Sequence, residues 1–147
     1  MATRSTIAME QPNGEIMKIY CHWDGYLSNN GEILQTHYRD RAKVLALMLL
    51  GDVSSLRPEI GEAHDFDARY EDKDPRENWC VAYGRDRGES GTEFRVYKNY
   101  ADYRANAQFE EYNYCYRLDD QWYVEFYGRF DGPLEQALLE DKAAEEA

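Results

Sequence analysis

Two aromatic runs, Glu111 to Leu118 and Gln121 to Tyr127, are separated only by Asp119-Asp120. Runs of that kind joined by two turn residues have one economical solution, an antiparallel β-hairpin. Its rings (Tyr112, Tyr114, Tyr116, Trp122, Tyr123, Phe126 and Tyr127) are best accounted for by core and cross-strand packing. A second hairpin is expected near the N-terminus. Thr3 to Met9 reads as a strand, Pro12-Asn13-Gly14 as a turn, and Ile16 to Trp23 as the partner. In that partner Met17, Ile19, Cys21 and Trp23 make a wholly apolar face.

Between the hairpins the period changes. Asp24-Gly25 breaks the strand, and Ser28 to Gly31 reads as a polar loop. Ile33, Leu34, His37 and Tyr38 fall on one helical face, and Asp40 is placed to cap a second helix from Arg41. Val44 to Leu50 is apolar almost all round, which predicts a helix central to the core that stops at Gly51. Asp52 to Leu56 reads as a turn, and Glu59 to Asn78 as a long surface connection with a short edge strand at Phe66 to Tyr70. Trp79 to Gly84 and Thr92 to Lys98 read as strands around a polar break, and a short helix is expected around Tyr100 to Asn106. Gly132-Pro133 opens a last helix, Leu134 to Ala144. The pattern predicts an α+β fold: one domain over residues 1–147, mainly an antiparallel sheet with helices packed on one face, and residues 131–147 as an acidic C-terminal helix or tail.

Charge narrows the partners. The net charge of −12 is concentrated: Glu59 to Asn78 carries −5 and Asp131 to Ala147 another −5. Such a surface repels nucleic acid, whose binding needs lysines and arginines on phosphates, and it steers basic partners. The longest apolar run, Val44 to Leu50, is far too short to span a membrane. Met1 to Ser5 lacks the apolar stretch of a secretory signal, so the protein is expected to stay where it is made. These features point to Glu71, Asp72, Asp74, Glu135, Glu140, Asp141, Glu145 and Glu146 as residues that meet a partner with a basic surface.

Residues able to do chemistry are few. His22 and Asp24 share a strand face, and with His37 and Asp40 they make the one set that suggests a metal or a small hydrolase site. The competing reading is a polar network that fixes the strand-to-helix turn, and no metal or cofactor is called for. Cys21 beside His22 would point to the opposite strand face, and Ser54-Ser55 lacks a nucleophile elbow. Three widely spaced cysteines without a CxxC pair read as small buried hydrophobes. Gly84 to Gly91 is phosphate-loop-like in composition only, yet Arg85 and Arg87 are its credible anion-binding candidates.

The segments Ile19-Tyr20-Cys21-His22-Trp23-Asp24-Gly25-Tyr26, Leu50-Gly51-Asp52-Val53-Ser54-Ser55-Leu56, Val81 to Gly88 and Glu111-Tyr112-Asn113-Tyr114 are similar to a widespread group of short proteins encoded by bacteriophages, prophages and other mobile elements. That group has no settled function, so the resemblance implies a source and a setting, the host bacterial cytoplasm, and no catalytic residues. The leading expectation is an acidic phage accessory protein that modulates a host protein, in its sharpest form a DNA mimic acting on a nucleic-acid-handling factor. The alternatives are a metal- or nucleotide-dependent hydrolase using His22, Asp24 and His37, and a virion or assembly component.

Overall fold

Ser5–Glu10 forms β1, and every one of its residues is buried. Ile7 and Met9 enter the main core, while Ala8 enters a smaller core on the opposite face. The structure is a computed structural model that describes residues 2–63 and 75–146. β2 (Ile16–Cys21) returns antiparallel to β1 with Ile7 opposite Ile19. Gly14 lies in the turn at φ +91°, and its N–H donates to the Gln11 carbonyl at 2.8 Å. The strand ends two residues before its expected limit, and Trp23 is exposed instead of joining the apolar face.

The expected polar loop is a π-helical turn, Leu27–Gly31, that leads directly into α1 (Glu32–His37). Asn30 in that turn is fully buried, and its amide donates to Ser5 Oγ at 3.1 Å. α2 (Arg41–Leu50) is capped as expected, the Asp40 carboxylate accepting from the Ala42 N–H at 3.1 Å. It is not buried all round. Val44, Leu47 and Met48 face the core, whereas Leu49 is 65% exposed, because only one side of α2 meets the sheet. After Gly51 (φ +78°) the chain pairs as β3 (Val53–Ser55) where a turn was expected. β3 runs parallel to the end of β2, with Cys21 opposite Val53.

The second strand region shrinks to β4 (Val81–Ala82), because the chain turns at once into α3 (Tyr83–Arg87). Asp86 causes that turn: its carboxylate accepts from the Ala82 N–H at 2.8 Å. β5 (Arg95–Tyr97) pairs with the first half of β2, and Val96 stays half exposed. α4 (Tyr100–Asn106) starts on an Asn99 cap. β6 (Tyr112–Tyr116) and β7 (Trp122–Phe126) form the aromatic hairpin, closed by Asp120 at φ +61°. A further strand, β8 (Phe130–Pro133), occupies the segment read as the start of a helix, and α5 (Leu134–Glu146) follows. The expected edge strand at Phe66 to Tyr70 lies outside the described residues.

The described residues form an α+β domain around one mostly antiparallel eight-stranded sheet, ordered β4-β3-β2-β1-β6-β7-β8 with β5 also on β2. Two pairings, β1 with β6 and β2 with β3, are parallel. α1, α2 and α5 contribute Leu34, Val44, Leu47, Leu134 and Leu138 to the main core. The short α4 covers part of the other face, where Tyr103 packs with Ala8, Ile16 and Cys115. No described helix is long and apolar enough to cross a membrane.

Gly51 and Gly14 separate two costs of a side chain at positive φ. A Cβ at Gly14 meets nothing, whereas one at Gly51 collides with the Thr92 carbonyl oxygen, backbone that the Asp52 N–H also holds. Gly14→Ala is expected to lose about 1 kcal/mol and Gly51→Ala about 3 kcal/mol or more, read from urea midpoints at unchanged slope. Equal losses would show that Thr92 gives way freely.

Candidate functional site

The residues singled out for metal or hydrolytic chemistry are not brought together. His22 follows β2, its Nδ1 in a 2.7 Å hydrogen bond with the Tyr20 hydroxyl and its ring edge-on to Trp23. Asp24 is exposed at φ +55°, a left-handed position that Asp tolerates, and its carbonyl accepts from Asn29 and Asn30. His37 is exposed at the end of α1, and Asp40 is occupied as the α2 cap. Among the described residues no three His, Cys, Asp or Glu side chains gather at metal-holding range. The turn after β2 is held instead by backbone and polar contacts, with Tyr114 donating to the Gly25 carbonyl at 2.6 Å.

Arg85 is not available to an anion. Its five N–H groups all have acceptors: the Ile60, Gly61 and Cys80 carbonyls and both oxygens of Asp86, at 2.9 to 3.2 Å. It clamps β4 and α3 to the backbone at Ile60 and Gly61. Arg87 lies over the Tyr83 ring and pairs with Glu89 at 3.4 Å. All three cysteines are buried and free. Burial pushes the Cys21 thiol up to about 11 and the Cys115 thiol up to about 12, and it raises Cys80 as well.

The acidic C-terminal segment gives a more definite surface. Leu134, Ala137 and Leu138 seat α5 on the core, which turns Glu135 and Glu140 outward and leaves Asp141 half-buried. These three acids make no ion pair among the described residues, whereas Asp131 is taken by Arg104 at 2.7 Å. Glu145 and Glu146 close the helix but their side chains lie outside the described ones, as do Glu71, Asp72 and Asp74 altogether. Beside Glu140 and Asp141 a groove of about 370 Å³ runs between α5 and the β7–β8 edge. Its rings pack on one another: Phe126 stacks on Phe130 at 5.7 Å, and Tyr112 tilts against Phe126 at 5.1 Å. Tyr127, 59% exposed, stands at the mouth with its hydroxyl donating to Glu111 at 3.2 Å. Arg129 is the one cation among the lining residues.

Rings with carboxylates beside them suit a cationic side chain. The ring faces attract an ammonium or guanidinium, and the acids complete its charge. The sequence showed the acids and the aromatic hairpin separately. It did not show that Phe130 joins Phe126, because that contact depends on β8. The chain was compared with family models, with curated proteins and with solved structures, and it matches none.

Two outcomes check these assignments. Arg85→Met is expected to lose about 3 kcal/mol of stability with no anion present, since it takes the guanidinium away from the fully buried Asp86 carboxylate. In the native protein at about pH 8 the three thiols should resist a disulfide reagent, and all should react once the chain is unfolded. Fast labelling of the folded protein would contradict their placement.

Proposed function

We propose that this chain is a non-enzymatic accessory protein, encoded by a bacteriophage or related mobile element, that binds a basic segment of a host protein in the bacterial cytoplasm. The observation that carries the reading is the α5 groove. Glu140 and Asp141, which have no ion pair among the described residues, stand beside the rings of Tyr112, Phe126, Tyr127 and Phe130. Lysine or arginine side chains of the partner would lie against these rings with their charges toward the two acids, and exposed Tyr127 is the natural anchor. In its sharpest form the partner handles nucleic acid, and the protein occupies its basic groove as a DNA mimic. The chain's net charge of −12 favours that encounter and opposes direct binding of nucleic acid.

The test uses a fluorescent lysine- and arginine-rich peptide titrated with the full chain. Binding should weaken steeply from about 50 to about 300 mM salt. Glu140→Gln with Asp141→Asn should weaken it about tenfold and flatten the salt dependence. Tyr127→Ala should weaken it about as much while keeping that dependence. A peptide held equally well by both variants, or not held at all, would end the proposal.

A further inference from the structure

A larger cleft, about 580 Å³, opens on the opposite face of the sheet, where α4 leaves β2 and β5 uncovered. Strand alternation makes it: Lys18 and Tyr20 point to this side while Met17, Ile19 and Cys21 point into the main core. Lys18 is only 5% exposed. It sits directly across from Arg95 in the β2–β5 register, two like charges side by side. Asp52 resolves half of that conflict. Its carboxylate takes Arg95 at 2.8 and 3.2 Å and accepts from the Tyr20 N–H at 2.9 Å. Lys18 is left with one hydrogen bond, to the Gln108 carbonyl at 2.8 Å, from an ammonium that has three to give.

Neither Lys18 nor Arg4, which also lines the cleft, has an ion pair among the described residues. Glu110 is the remaining acid of the lining, so three cations face two carboxylates in a chain whose total is −12. Burial, with Arg95 beside it, pulls the Lys18 ammonium below its ordinary value although Asp52 and Glu110 work against this. A charge so enclosed is favoured by a counter-ion in front of it.

We propose that this cleft binds a small phosphorylated molecule, its phosphate seated over Lys18 with Arg4 as the second charge partner. A phosphate monoester fits better than a carboxylate for a reason of number. Two spare Lys18 N–H groups, the Arg4 guanidinium and the Gln108 side-chain amide, which donates to no described group, are at least four donors: a phosphate meets them with three oxygens and up to two negative charges, a carboxylate with two oxygens and one. The volume lies within the range of roughly 300–1,000 Å³ usual for small-molecule sites. Tyr20 and Tyr97 stand in the lining to flank the rest of the ligand. The site shares no residue with the α5 groove, so it stands apart from the basic-partner reading.

Calorimetric and amide-shift titrations of the full chain with inorganic phosphate and with adenosine 5′-monophosphate test it. Saturable binding of both is expected, with shifts concentrated at Lys18, Tyr20, Arg95 and Tyr97. Lys18→Met, which keeps the stem and removes the charge, should weaken binding at least about tenfold. Arg4→Gln, at an exposed position, should weaken it about fivefold and decides alone if the first variant does not fold. Neither substitution should alter binding of the basic peptide. Absence of saturation with both probes, acetate binding as tightly as phosphate, or undiminished binding in Arg4→Gln would overturn the proposal.

Discussion

β1 is the element on which the rest of the molecule depends, because it is buried on both faces and paired on both edges. Ile7 and Met9 have to be covered on one side and Thr6 and Ala8 on the other. One layer of helices cannot satisfy such a strand. The small second layer at Tyr103 follows from this, and so does the polar bond from Thr6 Oγ1 to Asn113 at 2.9 Å, which settles a buried hydroxyl beneath it. α4 is only long enough to cover Ala8, Ile16 and Cys115. The sheet beyond it remains open, and the cleft lies there.

The charged residues sort into those that build the fold and those that do not. Asp86 with Arg85, Asp52 with Arg95, and Glu10 with Arg117 each join segments distant in sequence or turn the chain within them, and one member of each pair is nearly buried. Glu10 illustrates the balance. Burial would raise its carboxyl, but the Arg117 guanidinium and the Leu118 N–H outweigh that and hold it below the ordinary range. Its contribution to stability is therefore present at neutral pH and fades as acid protonates it. The helix α5 is seated by Leu134, Ala137 and Leu138 and tied to α1 by Lys142 on Glu32 at 3.5 Å, while Glu135, Glu140 and Asp141 have no such partner among the described residues. Their charge is free to act on something outside the chain.

Local features were legible in the sequence and distant ones were not. Both hairpins, the Asp40 cap and α4 follow from turn chemistry and periodicity within a few residues. The parallel pairing that sets Ile7 beside Tyr114 spans most of the chain and leaves no local trace. β8 was hidden by Gly132-Pro133, which also suits a helix start, and an edge strand tolerates that proline. Arg85 looked like a loop arginine because its carbonyl acceptors come from Ile60, Gly61 and Cys80, which no motif announces. For the sites the signal was partial. Lys18 is the single charge inside the run Ile16–Cys21, and a charge in a strand otherwise fit for burial marks a place where something compensates it.

The two surfaces differ in sign and are carried on opposite faces of one sheet. A total charge of −12 suggests at first that no anion should approach any part of this protein. Screening removes that objection. At physiological ionic strength the field of an exposed charge decays over about 8 Å, so each surface responds chiefly to its own neighbours. Glu135 and Glu140 lie on the solvent side of α5, on the far side of the main core from Lys18. Lys18 lies under low-dielectric cover beside Arg95, where interactions at short range are strongest. On the two proposals, net charge would govern which partners arrive from a distance, while Lys18 and the cations beside it would govern what stays in the cleft. β1 and β6 supply the separation, since their alternation sends Ile7 and Tyr114 toward α5 and Ala8 and Cys115 toward α4.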